Sequence, residues 1–132
     1  MWSDFRTKKE IMKQGKVWGF TSHLFGKNNV SIHRIEIEPG GYCSKHKHSH
    51  KWNRFYIEEG ELDVQIWKND YDLVDTTRLY KNEFLDIKPG EFHRFLNTST
   101  SVAIVYEIYW VDLNEGDIER EDVGGSDKQI IN

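Results

Sequence analysis

The stretch Gly40-Gly41-Tyr42-Cys43-Ser44-Lys45-His46-Lys47-His48-Ser49-His50-Lys51-Trp52-Asn53 is answered about forty residues later by Pro89-Gly90-Glu91-Phe92-His93-Arg94-Phe95-Leu96-Asn97. On a strand, side chains two apart project to one face roughly 6.5–7 Å apart. His46 and His48 can therefore offer neighbouring imidazoles to one ion. Pro89-Gly90 makes a tight turn from which a new strand can start, with His93 near its beginning as the third imidazole. Three imidazoles leave the ion its full charge and open positions, so such a site is potentially catalytic rather than closed and structural. Such ligands favour a divalent transition metal (Zn, Mn, Fe, Ni or Co) over Ca or Mg, and affinity alone does not choose among them. His50 shares the parity of His46 and His48 but would lie roughly 13 Å from His46 on a straight strand. It is placed at the mouth of the site, as a substrate contact, a proton carrier or a solvated rim residue.

The flanking sequence reads as strands. Val30 to Glu38 alternates, with His33, Ile35 and Ile37 on one face and charged residues on the other, until Pro39-Gly40-Gly41 stops it. His33 could look inward, with a hydrogen-bonded core histidine as the plainer reading. Gly26-Lys27-Asn28-Asn29 is a turn between two alternating runs, a hairpin signal. Asn53, Phe55 and Ile57 share a face, Glu58 to Glu61 turns, and Leu62, Val64 and Ile66 share the next buried face. Thr76 to Tyr80 and Leu85 to Ile87 supply two more strands. Val102 to Val111 is apolar on both parities apart from Glu107, as in a strand covered on both sides. Many short strands at this spacing suggest a sandwich or small barrel.

The 132 residues fit one domain. The expected division is a polar strap over 1–15, helical or extended, a barrel over 16–125 and a mobile tail over 126–132. The net charge is −4 with Lys and Arg spread along the chain, so nucleic acid is not an expected partner. No apolar run approaches the ~20 residues of a spanning helix. Met1 to Arg6 lacks the layout of a signal peptide, so no membrane partner and a cytoplasmic location are expected. The lone Cys43 fits a reducing compartment. By strand alternation it points away from His46 and His48, as a packing residue.

The order Gly40, five residues, His46-x-His48, four residues, Asn53, six residues, Gly60 resembles the first motif of the cupins, and Gly90-x-x-His93-x-x-x-Asn97 resembles the second. Asn53 stands where cupins usually carry a Glu ligand, so the resemblance implies its amide oxygen as a fourth, neutral ligand beside His46, His48 and His93; Asn82 stands where the second motif opens with Gly, and Pro89 is one position late. The resemblance implies an all-β, single-domain barrel of the double-stranded β-helix, or jelly-roll, type. From Trp18 to Gly125 the chain is similar to the C-terminal cupin domain of type II mannose-6-phosphate isomerases. Trp18-Gly19, Arg34 before Pro39-Gly40, His48 with His50, His93-Arg94 with Asn97, Glu107, and the tail Leu113-x-Glu115-x-Asp117-Ile118-x-Arg120 carry the likeness. Asn53-Arg54 replaces a Glu-His pair of that family, His46 stands where Gln is frequent, and Ser126 replaces a closing Arg.

That resemblance implies a small-molecule substrate, a sugar phosphate whose adjacent oxygens are held by the metal while a base moves a proton between neighbouring carbons. His50 and Glu107 are the base candidates. Arg94 and Arg34 are candidates for gripping a phosphate or carboxylate, though both follow inward-facing residues and a surface position is the alternative for each. A homodimer through the outer face of the 102–111 strand is expected from the family. The competing readings are a non-catalytic sugar-binding cupin and an iron-dependent cupin dioxygenase.

Overall fold

The computed structural model describes residues 8–68 and 73–111. The closing segment from 113 to 125, the tail 126–132 and the first half of the strap lie outside the described residues.

Among the described residues the chain forms nine strands and no helix: β1 (Lys13–Lys16), β2 (Gly19–Lys27), β3 (Val30–Ile37), β4 (Trp52–Glu59), β5 (Leu62–Trp67), β6 (Val74–Leu79), β7 (Phe84–Ile87), β8 (Phe92–Leu96) and β9 (Ala103–Trp110). All named pairings are antiparallel. A six-stranded sheet in the order β1-β2-β3-β9-β4-β7 faces a three-stranded sheet in the order β6-β5-β8. The expected hairpin is there, with β2 and β3 joined at Asn28-Asn29. The expected start of the barrel at residue 16 falls inside β1, because residues 13–16 pair with β2.

Strand alternation places the core as the sequence predicts. Ile35, Ile37, Phe55, Ile57, Leu62, Val64, Ile66, Phe95 and Val105 are all buried. Each large apolar side chain removed from water in this way contributes about 1.5–3 kcal/mol before entropy is counted. The inner face of the large sheet is graded from end to end. At one end Ile37 opposes Ala103, and Ile35 opposes Val105, which in turn opposes Ile57. At the other, His23 opposes His33, His33 opposes Glu107, and Tyr109 opposes Asn53. Apolar rows hold the sheets together, and the polar rows are left to line a site.

The connection between β3 and β4, which carries His46 and His48, is not the regular strand the spacing suggests. Its bridge pairing with β8 is confined to two isolated bridges, Tyr42 to Leu96 and His46 to His93. Four steps of chain from Tyr42 to His46 thus oppose three from Leu96 to His93, the one-residue excess of a bulge. The bulge reverses the parity of the residues before it. Cys43 therefore does not point away from the histidines: it is buried in the core and lines the same cavity as His46. As a packing residue it behaves as expected. Its sulfur accepts the Phe95 N–H at 3.2 Å, and burial pushes its thiol up to about 11.

Two turns show how the sequence permits these short connections. Gly60, between β4 and β5, has φ of 79°, and a Cβ there would lie 2.8 Å from the Val102 carbonyl oxygen. Asn82, where the motif has Gly, has φ of 69°. Asn is among the few L-residues that tolerate this region, so the departure preserves the turn.

Candidate metal centre

His93 sits on the inner face of β8, 1% exposed, and its backbone exchanges hydrogen bonds with His46: His93 N–H donates to the His46 carbonyl at 2.8 Å, and His46 N–H to the His93 carbonyl at 3.1 Å. The Gly90 N–H holds the next link by donating to the His48 carbonyl at 2.7 Å. These contacts bring the three rings together, with centroids 4.4 Å apart for His46 and His93, 5.1 Å for His46 and His48, and 5.5 Å for His48 and His93. One nitrogen of each ring lies within 4.8 Å of one nitrogen of the others.

The hydrogen bonds fix which nitrogens are free. His46 Nδ1 lies 2.7 Å from the Ser44 carbonyl and His93 Nδ1 lies 3.0 Å from the Glu91 carbonyl. A carbonyl can only accept, so both Nδ1 atoms carry the proton and in the neutral ring the Nε2 lone pair is the one left for a ligand role, the usual outer-shell arrangement of a ligating imidazole. The Nε2 atoms of His48 and His93 are buried without a hydrogen-bond partner. Burial, chiefly, and then the neighbouring His46, Lys51 and His93 push His48 down to about 4, so its ring is neutral near pH 7. Burial likewise lowers His93.

Asn53, on the inner face of β4, is 1% exposed. Its Nδ2 has only distant acceptors, the Arg54 and Ile108 carbonyls at 3.5 Å, and its Oδ1 has no partner. Burying an acceptor unpaired costs about 1–3 kcal/mol. The strands on either side belong to the site, since Tyr109 opposes Asn53 across β4 and β9 and packs edge-on to His48 at 5.1 Å, while Phe55, two residues on, packs edge-on to His93 at 6.1 Å. Three clustered imidazoles and unpaired nitrogen and oxygen acceptors fit a divalent transition metal, which this site could bind.

The centre opens into a cavity of about 660 Å³ lined by His46, Glu107, Tyr109, His33, His23 and Lys51 among others. The Tyr109 hydroxyl donates to the Glu107 carboxylate. Burial, opposed by that hydrogen bond and by His46, Lys51 and Lys16, raises the Glu107 carboxyl above its ordinary range. Burial and the Glu107 charge also raise Tyr109.

The other candidates lie elsewhere. His50 is exposed in the bend at Ser49-His50 and is not among the cavity's lining residues. Arg94 donates to the Cys43 carbonyl at 2.9 Å and lies over the Tyr42 and Trp67 rings, away from the cavity lining. Arg34 pairs with Glu36 at 3.2 Å and Glu58 at 3.6 Å on the outer face of β3. Tyr109, Lys51, Lys16 and His23 line the cavity without having stood out in the sequence, and only cross-strand register brings them together.

A small antiparallel two-sheet barrel with three clustered imidazoles that could hold a metal ion is the architecture of the cupin class. The chain belongs to the cupin family: residues 33–109, more than half its length, match the Cupin domain. It is 29% identical over 104 residues to a mannose-1-phosphate guanylyltransferase of Sinorhizobium fredii, a match covering 78% of this chain and 19% of that protein. Among solved structures, the capsular polysaccharide assembling protein CapF of Staphylococcus aureus superposes with a TM-score of 0.72 at 15% identity, over 86% of this chain and 31% of that one. Oxalate decarboxylase of Lactobacillus farciminis superposes with a TM-score of 0.66 at 19% identity, over 80% of this chain and 33% of that one. At these identities the superpositions speak to fold. Among the described residues no helix is long and apolar enough to cross a membrane.

Proposed function

We propose that this cupin binds a divalent transition metal through His46, His48, His93 and Asn53 and acts on a sugar phosphate by aldose–ketose isomerisation. The observation that carries the reading is the position of Glu107, bonded by the Tyr109 hydroxyl in the cavity that His46 also lines, where burial raises its carboxyl. A base that moves a proton between adjacent carbons at neutral pH needs a carboxyl lifted from its usual range. When bound, the metal would polarise the substrate's carbonyl and neighbouring hydroxyl oxygens. The chain's part is to hold the three Nε2 atoms in a fixed cluster, to keep Glu107 aimed through the Tyr109 hydroxyl, and to exclude bulk water with Trp18, Phe95 and Ile35 along the wall. The sequence likeness to a protein named for mannose 1-phosphate chemistry supports a hexose phosphate as substrate class.

The test is turnover. Protein reconstituted with Zn, Mn or Co should interconvert mannose 6-phosphate and fructose 6-phosphate, lose activity on chelation, and lose at least ~100-fold on Glu107→Gln. Absence of turnover with every metal contradicts the reading. A non-catalytic sugar-phosphate-binding cupin is the second reading, favoured by the neutral Asn53 where the cupin motif carries Glu. It predicts saturable binding of mannose 6-phosphate without conversion.

A further inference from the structure

The cavity that opens from the three-imidazole cluster has a second wall of quite different character. His23 and His33 face each other across β2 and β3, with rings stacked 4.8 Å apart at 28°. Lys16 and Lys51 line the same cavity. We propose that Lys16, His23, His33 and Lys51 form the subsite that takes the phosphate group of the substrate, across the cavity from the metal centre. This rests on the reading of the substrate as a phosphorylated sugar.

Charge comes first. The cavity lining contains two lysines and three histidines against a single carboxyl, Glu107, and that carboxyl is engaged by the Tyr109 hydroxyl. Among the described residues neither Lys16 nor Lys51 lies within ion-pair distance of a carboxylate. Burial first, and then the neighbouring His23, Lys51 and Lys16, disfavours the charged form of His33. An unbalanced group of cationic and hydrogen-bonding side chains facing one cavity is stabilised by an anion placed among them.

The backbone also makes room for this arrangement. The register of β2 against β3 shifts between His23 and Phe25, and Gly26 lies beneath the His23 ring, where a Cβ would come within 2.7 Å of His23 Nε2. The bulge and the missing side chain together let the imidazole lie over the strand and stack on His33.

Position follows from Tyr109. Its ring packs edge-on to His33 at 6.0 Å and to His48 at 5.1 Å, and Lys51 Nζ sits 4.4 Å from its centroid. The imidazole pair and the metal cluster therefore flank one tyrosine, as recognition of the two ends of a small sugar phosphate requires. Two ammonium groups and two imidazoles suit a tetrahedral dianion with three free oxygens better than a planar carboxylate with two. The arginines that the sequence offers for this task, Arg34 and Arg94, are engaged on outer surfaces.

The proposal is tested by titrating inorganic phosphate into the full chain, metal-loaded and chelated, while following the His23 and His33 imidazole resonances. Saturable shifts in both forms are expected. In a Lys16→Ala/Lys51→Ala double variant the affinity should fall at least tenfold while metal content stays at the wild-type level. The absence of saturable shifts at His23 and His33 overturns the subsite. So does phosphate binding that disappears on chelation but survives in the double variant, which would put the anion on the metal, or acetate binding equal to that of phosphate. Because phosphate binding is read without turnover, saturable binding in a chain that fails to isomerise any sugar phosphate would sink the isomerase reading and leave the subsite standing.

Discussion

Asn53 and Asn97 are each 1% exposed, yet only Asn97 has partners for its side-chain oxygen. Asn97 Nδ2 donates to the Ile37 and Ser101 carbonyls at 3.0 and 2.8 Å, and its Oδ1 accepts from Ser99 N–H and Oγ–H at 3.0 and 2.7 Å. It pins the turn after β8 to the end of β3. Asn53 Oδ1 is buried and unpaired at the polar end of the barrel. One buried amide is a structural pin and the other leaves its acceptor unpaired.

The pin should be replaceable only at a cost in stability. Asn97→Ala removes four hydrogen bonds, so it should destabilise the fold by about 2–4 kcal/mol. Metal content of the folded fraction should be unchanged. Denaturant unfolding with and without metal separates the two effects.

Asn53→Asp keeps the reach of the side chain and adds a charge. In a partly desolvated site the carboxylate should tighten Mn binding by about tenfold or more, ~1.4 kcal/mol. Without metal the same variant should be less stable than wild type, because a buried carboxylate then lacks a partner. Equal or weaker Mn affinity, measured by titration of the metal-free protein, would mean that Asn53 does not face the ion.

Acid should attack a different point. Asp63, 6% exposed on β5, accepts Arg78 Nε and Nη2 at 2.8 and 3.1 Å and Thr98 Oγ at 3.0 Å. The Arg78 hydrogen bond, above all, holds its carboxyl below the ordinary 3.8. A depressed folded-state pKa gives stability that is present above the unfolded value and lost as pH falls through the folded one. Asp63→Asn should therefore lower stability at pH 7, with the gap from wild type closing below about pH 4. A gap independent of pH would contradict the ionic account.

How much of this was legible in the sequence follows from what alternation can and cannot encode. The period of two identifies Phe55 and Ile57, or Leu62, Val64 and Ile66, as inward without any knowledge of the partner strands, and all are buried. It fails at Cys43, because the bulge between Tyr42 and His46 inserts a residue that no local pattern announces. His46, His48 and His93 could be paired because the glycine turns that bring them together lie in the chain beside them. Lys16, His23 and Lys51 gave no such signal, since three separate elements place them and their adjacency exists only in the register of β1, β2 and the entry to β4. Arg94 looked like an anion ligand by its position beside His93, yet the alternation that turns His93 inward turns Arg94 out to the Tyr42 and Trp67 rings.

The central claim is that His46, His48 and His93 converge on one divalent ion. Anomalous scattering from crystals grown with Zn or Mn, wild type beside His93→Ala, tests it most directly. The account predicts a single strong peak in the wild type, bound through the Nε2 atoms of the three histidines, and loss of that peak in the variant while the barrel remains folded. A peak of equal strength in His93→Ala, or an ion bound away from the three rings, would contradict it.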